Sequence, residues 1–93
     1  MSQPTPLPLS AVCRTETLCP SEGLTLTYRL TLGGGRRSVE VRAEDGHGIR
    51  RDAVGGFPSD GAAERFFLLV LRGAVTPYTL VEIYDGFMEK DLT

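Results

Sequence analysis

The clearest regular pattern in this sequence is an alternation of apolar and polar residues in LTLTYRLTL, residues 24–32. Side chains of a β-strand point alternately to the two faces of a sheet, so this stretch predicts a strand with one apolar and one wet face. The apolar face takes five residues: Leu24, Leu26, Tyr28, Leu30 and Leu32. Their partners on the other face are mostly threonines, which suit a β-surface in contact with water.

A second strand is predicted directly after the triple glycine Gly33–Gly35. Glycine adopts positive φ without steric cost, as a tight hairpin turn requires. SVEVRAE, residues 38–44, then alternates again, with Val39, Val41 and Ala43 on the apolar side. These two stretches predict a β-hairpin.

A further hairpin is predicted at Asp45-Gly46, a pair that favours the two central positions of a type I′ turn. GIRRDAVGGF, residues 48–57, follows with poorer alternation. We expect it to pair as a fourth strand from His47 to about Ala53. Two glycines at 55 and 56 then let the chain leave the sheet.

The N-terminal part carries weaker signals. Residues 1–8 contain three prolines and predict a flexible tail or a sheet edge, because proline removes a backbone donor. Residues 9–18 predict a strand with Leu9, Ala11 and Cys13 on one face. CPSEG, residues 19–23, is typical of a turn.

The stretch FPSDGAAERFFLLVLRG, residues 57–73, predicts a helix rather than a strand. Ser59 or Asp60 can accept hydrogen bonds from the first-turn amides. Gly73 stands where a left-handed residue is expected to end the helix. FFLLVL, residues 66–71, is more apolar than one sheet face requires, so we expect the helix to be covered on more than one side.

A second helix is predicted to restart immediately, with Thr76 as its N-cap and Pro77 at its first position. One amphipathic stripe follows: Leu80, Val81, Tyr84, Phe87 and Met88. The sequence therefore predicts an α+β fold, an antiparallel meander of three to four strands packed against a C-terminal helical hairpin. Residues 9–93 form one domain in this interpretation.

Composition and charge narrow the classes of function. The chain has 93 residues, a formal net charge of -2 and 41% apolar residues, which are ordinary values for one globular domain. The longest apolar run is six residues, too short for a membrane span, and the N-terminus lacks a signal-peptide pattern. We expect a cytoplasmic protein that does not bind membranes, with Cys13 and Cys19 as free thiols.

The order of elements from Asp52 to Asp60, the Val75-Thr76-Pro77 segment and the stretch from Leu80 to Phe87 resembles a family of small uncharacterised proteins, a domain of unknown function from Clostridia and related Firmicutes. The likeness spans roughly residues 24–88. Many relatives carry a histidine after the Pro-x pair, where this chain has Thr79. The family brings no activity and no catalytic residues, so the resemblance implies the fold and a bacterial cytoplasm.

Candidate catalytic groups are sparse. His47, the only histidine, falls at a predicted turn, and Cys13 lacks a partner base in the sequence. Glu44-Asp45 is a carboxylate pair at a predicted turn, where a solvated surface is expected, whereas acid–base catalysis needs one of the two groups to be buried. Gly33–Gly35 connects two strands and does not lead into a helix as a phosphate loop does. We therefore expect no enzyme activity, no bound cofactor and no metal site.

Two binding functions remain. The leading hypothesis is a non-enzymatic protein-interaction or regulatory module that binds an unidentified protein or associates with itself. The alternative is nucleic-acid binding through arginines of the predicted sheet: Arg29, Arg36, Arg37, Arg42, Arg50 and Arg51. Acidic residues lie between these arginines and no exposed aromatic residues accompany them, so nucleic acid is the less favoured partner. The exposed face of the second helix is acidic, which argues against its insertion into a DNA groove.

Overall fold

The computed structural model describes residues 12–91 and shows four β-strands followed by two α-helices. The elements are β1 (Val12–Ser21), β2 (Leu24–Gly33), β3 (Arg36–Asp45), β4 (Gly48–Gly55), α1 (Asp60–Arg72) and α2 (Leu80–Asp91). All strand pairs are antiparallel and the order in the sheet is β1-β2-β3-β4. The predicted α+β fold is confirmed. The predicted tail, residues 1–8, lies outside the described residues.

The β2–β3 hairpin forms as the sequence predicts. Gly33 pairs with Arg36, and Gly34 and Gly35 have φ values of 60° and 79°, so both central residues of the turn are left-handed. Alternation then places one side of β2 and β3 against the helices. We call this side the inward face, and its buried residues are Leu26, Tyr28, Leu30, Leu32, Val39, Val41 and Ala43.

The β3–β4 turn differs from the prediction by one residue. Asp45 pairs with Gly48, so the two central residues are Gly46 and His47, and positive φ falls on Gly48. The Asp45 carboxylate explains the shift, because it accepts hydrogen bonds from the backbone N–H groups of His47 (2.7 Å) and Gly48 (3.1 Å). The type I′ prediction is wrong, while β4 pairs as far as Gly55.

Strand β1 forms, and its register shows which of its two faces points to the helices. Cys13 pairs with Thr31 and lies on the exposed, outward face, whereas Arg14 pairs with the inward residue Leu30. Leu9 and Ala11 lie outside the described residues. The predicted turn at residues 19–23 is also shorter than expected, because β1 continues through an irregularity to Ser21 and only residues 22–23 form the turn.

The helical hairpin covers the inward face of the sheet. Helix α1 packs on β2 and β3, and α2 packs on β4 and on α1. The α1 residues at this interface are fully buried: Ala62, Ala63, Phe66, Phe67 and Val70. Half of the FFLLVL segment is therefore internal, namely Phe66, Phe67 and Val70, while Leu68 and Leu71 are half-buried and Leu69 is exposed, so the expected cover on a second side is incomplete. Burial of each large apolar side chain stabilises the fold by about 1.5–3 kcal/mol.

The start of α1 is fixed from two directions. Ser59 is the N-cap, and its hydroxyl oxygen accepts a hydrogen bond from the N–H of Ala62 (3.0 Å). The neighbouring Asp60 accepts from Nε of Arg37 in β3 (2.8 Å). Of the two residues that the sequence offered as caps, Ser59 caps the helix and Asp60 ties it to the sheet.

The end of α1 corrects the prediction for Gly73. Gly73 has φ −84°, an ordinary helical value, while Ala74 has φ 48° in the left-handed region. The N–H of Ala74 donates to the carbonyl of Leu71 (3.3 Å), and that of Val75 donates to Val70 (3.0 Å). This pair of bonds is a Schellman motif, in which the left-handed position follows the cap residue. Alanine occupies the position that glycine usually takes.

Helix α2 begins three residues later than predicted, at Leu80. Thr76 and Pro77 open a separate turn, in which the Thr79 N–H donates to the Thr76 carbonyl (3.2 Å). The fixed φ of proline suits this turn, and the first helical bond then runs from Ile83 to the Thr79 carbonyl (3.1 Å). The predicted apolar stripe holds except at Val81, which is exposed.

Candidate interaction surfaces

An apolar groove lies between the two helices. We name it the α1–α2 groove, and it is lined by Leu69, Glu82, Ile83, Gly86, Phe87 and Lys90. Its volume is about 420 Å³. Leu69 is 42% exposed there, although it belongs to the most apolar segment of the chain. Glu82 and Lys90 stand two turns apart on α2, so the groove has an acidic and a basic end.

The groove forms because aromatic side chains hold the helices apart at their sheet side. Phe66 of α1 packs against Phe87 of α2, with ring centroids 5.2 Å apart. Phe57, which precedes α1, contacts Phe66 at 5.4 Å and Tyr84 at 5.5 Å. The Tyr84 hydroxyl also donates to the carbonyl of Gly55 at the end of β4. These contacts fill the space under the helices and leave the outer space between them open.

A second cleft lies at the turn between β3 and β4, beneath the connection of the two helices. We name it the hairpin-end cleft, and Asp45, His47, Arg50 and Tyr78 line it together with apolar residues. Its volume is about 410 Å³. The guanidinium of Arg50 stacks over the Tyr78 ring at 4.9 Å. Oδ1 of Asp45 accepts hydrogen bonds from the backbone N–H groups of His47 and Gly48, so this carboxylate stabilises the turn.

The six candidate arginines do not share one face of the sheet. Four point to the outward face: Arg29, Arg36, Arg42 and Arg51. Two point inward: Arg37, which binds Asp60, and Arg50, which stacks on Tyr78. On the outward face, Arg29 lies opposite Glu40, and Arg42 lies directly opposite Arg51. Only this last pair concentrates positive charge.

Both cysteines are free and exposed on β1. The thiol sulfur atoms of Cys13 and Cys19 lie 3.9 Å from the hydroxyl oxygens of Thr31 and Thr25. Among residues 12–91, no three His, Cys, Asp or Glu side chains gather into a group that could hold a metal ion. The described helices are too short and too polar to cross a membrane.

One ionisable group of the core has a shifted pKa. Burial raises the pKa of Tyr28 to about 12, because the phenolate would lose its contact with water. The Tyr28 hydroxyl donates to the carbonyl of Val75 in the connection between the helices (2.9 Å). This bond joins the sheet to the hairpin, and the residue is fully covered by protein, which indicates a structural role.

The edge strand β1 is a third candidate surface that the sequence analysis missed. Arg14 and Glu16 lie on the inward side of β1, where they form an ion pair at 3.5 Å. The Arg14 guanidinium also stands over the ring of Phe67 at 5.3 Å. The signal in the sequence was the spacing of Arg14 and Glu16, which puts two charged side chains on the same face of a strand. A strand face covered by helices would carry apolar residues at these positions.

Comparisons with protein-family models, with curated proteins and with solved structures found no match to this chain. The resemblance to the clostridial family stays a prediction. The proposed function therefore rests on the surfaces described above.

Proposed function

We propose that this domain is a non-enzymatic protein-interaction module of the bacterial cytoplasm, and that the α1–α2 groove binds an amphipathic helix of another protein. The observation that carries the proposal is the exposure of Leu69 in a groove whose floor is formed by Ile83 and Phe87. An apolar surface of this kind, with charges at its ends, is typical of helix-in-groove recognition.

The shape of the groove supports a helical ligand. Two neighbouring helices form its walls, and side chains of a third helix pack naturally between such ridges. Gly86 lies in the wall without a side chain, and a Cβ placed there would meet no atom within 4 Å. A ligand helix can therefore approach the α2 backbone closely at this point.

The charges of the groove define the chemistry of the ligand. Glu82 marks one end and Lys90 the other. We expect the bound helix to present an apolar stripe to Leu69 and a basic residue toward Glu82. Complementary rim charges select the orientation of a partner more than they add affinity.

A displayed library of amphipathic helical peptides tests the proposal. We expect enriched peptides with an apolar stripe and a basic residue placed to reach Glu82, and Leu69→Glu should abolish their binding because it places a carboxylate in the apolar groove. The matched control is Val81→Glu, since Val81 is 48% exposed on α2 but lies outside the groove. Equal loss of binding in both variants, or no enrichment over an unrelated protein, would contradict the proposal.

The second candidate function is nucleic-acid binding, and it rests on the facing pair Arg42 and Arg51 on the outward face. Glu40 and Glu44 lie on the same face, and Glu44 approaches Arg42 at 3.9 Å, which reduces the positive field. Binding of mixed oligonucleotides at low salt, lost in an Arg42→Ala/Arg51→Ala double variant and weakened by added salt, would favour this function. No binding at low salt would remove it.

A further inference from the structure

Among the described residues, strand β1 forms one edge of the sheet. Eight of its ten residues pair with β2, and none of them pairs with a strand on the other side. An exposed edge of this length presents a row of backbone donors and acceptors to solvent, and another strand can pair with it. The question is which strand fits.

The inward side of β1 carries charge where the neighbouring strand carries the buried residues Leu30 and Tyr28. The side chains of Arg14 and Glu16 are 52% and 43% exposed, so the helical hairpin leaves them accessible. They flank Thr15, one on each side along the chain. A strand that pairs here must place an acidic group near Arg14 and a basic group near Glu16, since like charges directly opposite destabilise a sheet.

We propose that β1 pairs with β1 of a second copy of this chain, antiparallel and in the register that places the two Thr15 residues opposite each other. In an antiparallel pair, the residue before the centre of one strand lies opposite the residue after the centre of the other. Arg14 of each copy then faces Glu16 of the other. The same register places Cys13 opposite Thr17, and a continuous eight-stranded sheet results from two four-stranded ones.

Neighbouring registers that keep the two inward faces together are less favourable. Centring the pair on Arg14 brings two guanidinium groups together, and centring it on Glu16 brings two carboxylates together. The second of these places Cys13 of one copy opposite Cys19 of the other, which makes it easy to recognise by a disulfide. The charges of β1 therefore select one register among those that the pleat allows.

The opposite edge of the sheet does not offer the same match. In β4, the register that pairs Arg50 with Asp52 of a second copy also places Arg51 opposite Arg51. Helix α2 also packs on β4, and the Tyr84 hydroxyl binds the carbonyl of Gly55 at its end. We assign self-association to β1 for these two reasons.

This inference goes beyond the proposed function, because β1 and the α1–α2 groove are different surfaces. Loss of peptide binding in Leu69→Glu and loss of self-association in a β1 variant are separate results. Either proposal can fail while the other stands.

Charge exchange across β1 tests the pairing. Sedimentation equilibrium of the full chain should show a concentration-dependent dimer for the wild type. Glu16→Arg turns two attractive contacts of the dimer into repulsive ones, because the two-fold axis repeats each contact, so its dimer Kd should rise by roughly tenfold or more. Arg14→Glu should do the same.

The double variant Arg14→Glu/Glu16→Arg is the decisive control. It restores opposite charges across the strand pair in the same register, so the dimer Kd should return to within about threefold of the wild type. Circular dichroism and thermal unfolding of each variant establish that the monomer remains folded. A wild type that stays monomeric at high concentration, or a double variant as weak as the single ones, would overturn the proposal.

Crosslinking tests the register itself. In a Cys13→Ser/Cys19→Ser background, Thr15→Cys should form a disulfide-linked dimer on mild oxidation, since the two Thr15 positions face each other across the axis. The background chain without Thr15→Cys should remain monomeric on a denaturing gel. A wild-type dimer linked between Cys13 and Cys19, with no crosslink in the Thr15→Cys variant, would overturn the assigned register.

Discussion

Strands β1 and β2 are neighbours of equal length in one sheet, yet their inward faces have different roles. The inward residues of β2 are buried apolar side chains under the helical hairpin. The residues directly opposite on β1 include Arg14, which faces Leu30, and Glu16, which faces Tyr28. At these two positions, β2 contributes to the core and β1 presents charge beyond the helices.

The difference shows how far two helices can cover a sheet. Helix α1 lies over β2 and β3, so apolar residues are required on the inward faces of these two strands. Beyond the hairpin, an apolar inward face would be open to water, and such faces favour aggregation. The charged side chains of Arg14 and Glu16 suit a strand face that is open to water. The order of the two charges restricts which strand can pair with β1.

The largest expected difference in stability is between variants at Leu30 and at Arg14, which lie opposite each other on β2 and β1. Leu30→Ala should lower the free energy of unfolding by about 2–5 kcal/mol, because it removes buried methyl groups and leaves a cavity. Arg14→Ala should change it by no more than about 1 kcal/mol, since about half of the Arg14 side chain is exposed, and ion pairs and cation–π contacts of exposed side chains contribute little. Urea unfolding at low protein concentration measures both values. Similar losses in the two variants would remove the distinction between the strands.

An intermediate effect is expected at Tyr28. At neutral pH, Tyr28→Phe should cost about 1–2 kcal/mol, because it removes the hydrogen bond to the Val75 carbonyl. Denaturant unfolding of both proteins at neutral pH measures this loss. A cost near zero would show that the bond between sheet and hairpin contributes little.

The same residue predicts a dependence of stability on alkaline pH. Burial raises the pKa of Tyr28 to about 12, above its value of 10 in the unfolded chain. The contribution is complete below pH 10 and is lost as pH rises toward 12, by roughly 2–3 kcal/mol for a two-unit shift. Unfolding measured from pH 9 to 12 should show this fall in the wild type and a smaller one in Tyr28→Phe. Identical pH profiles would contradict the assignment.

The smallest effect concerns the turn that returns the chain over β2. Ala74 has φ 48°, which strains any residue with a Cβ. Ala74→Gly should therefore raise the free energy of unfolding by about 0.5–1 kcal/mol, after allowance for the greater freedom of glycine in the unfolded chain. Thermal unfolding measures the gain. A loss of stability would indicate that the methyl group of Ala74 packs more favourably than its backbone is strained.

The strongest sequence patterns predicted the corresponding parts of the fold. The alternation around Tyr28, the glycines at the β2–β3 turn and the cap at Ser59 each have a local physical cause, and each is confirmed. The helical hairpin was predicted from an expected helix end at Gly73 and an expected helix start at Pro77. The hairpin forms, although the left-handed residue is Ala74 and Pro77 lies in a separate turn before α2. In each case the shift of one to three residues came from a hydrogen bond that composition does not specify.

The inward face of β1 could not be predicted, for a different reason. Alternation shows that two faces exist, but it does not say which face meets the helices when both are mixed. Cys13 lies on the outward face, and Arg14 and Glu16 lie on the inward one. The division of the arginines, in contrast, could be predicted, because consecutive residues such as Arg36 and Arg37 must point to opposite faces of a strand.

The surfaces proposed for binding depend on packing between distant segments. The exposure of Leu69 follows from where α2 rests on α1, and no local pattern reports that distance. The accessibility of Arg14 and Glu16 depends on where the helical layer ends. Sequence patterns predict single helices and strands well, but they do not predict how much of one element is covered by another.

Hydrogen–deuterium exchange of the wild type at low and high protein concentration is the most direct test of β1 self-pairing, because it measures amide protection at both sheet edges and at the groove in one experiment. Amides of β1 should become more protected at high concentration, those of β4 and α2 should not change, and Glu16→Arg should remove the difference. Protection that appears in β4 or in the helices instead, or none at any concentration, would contradict it.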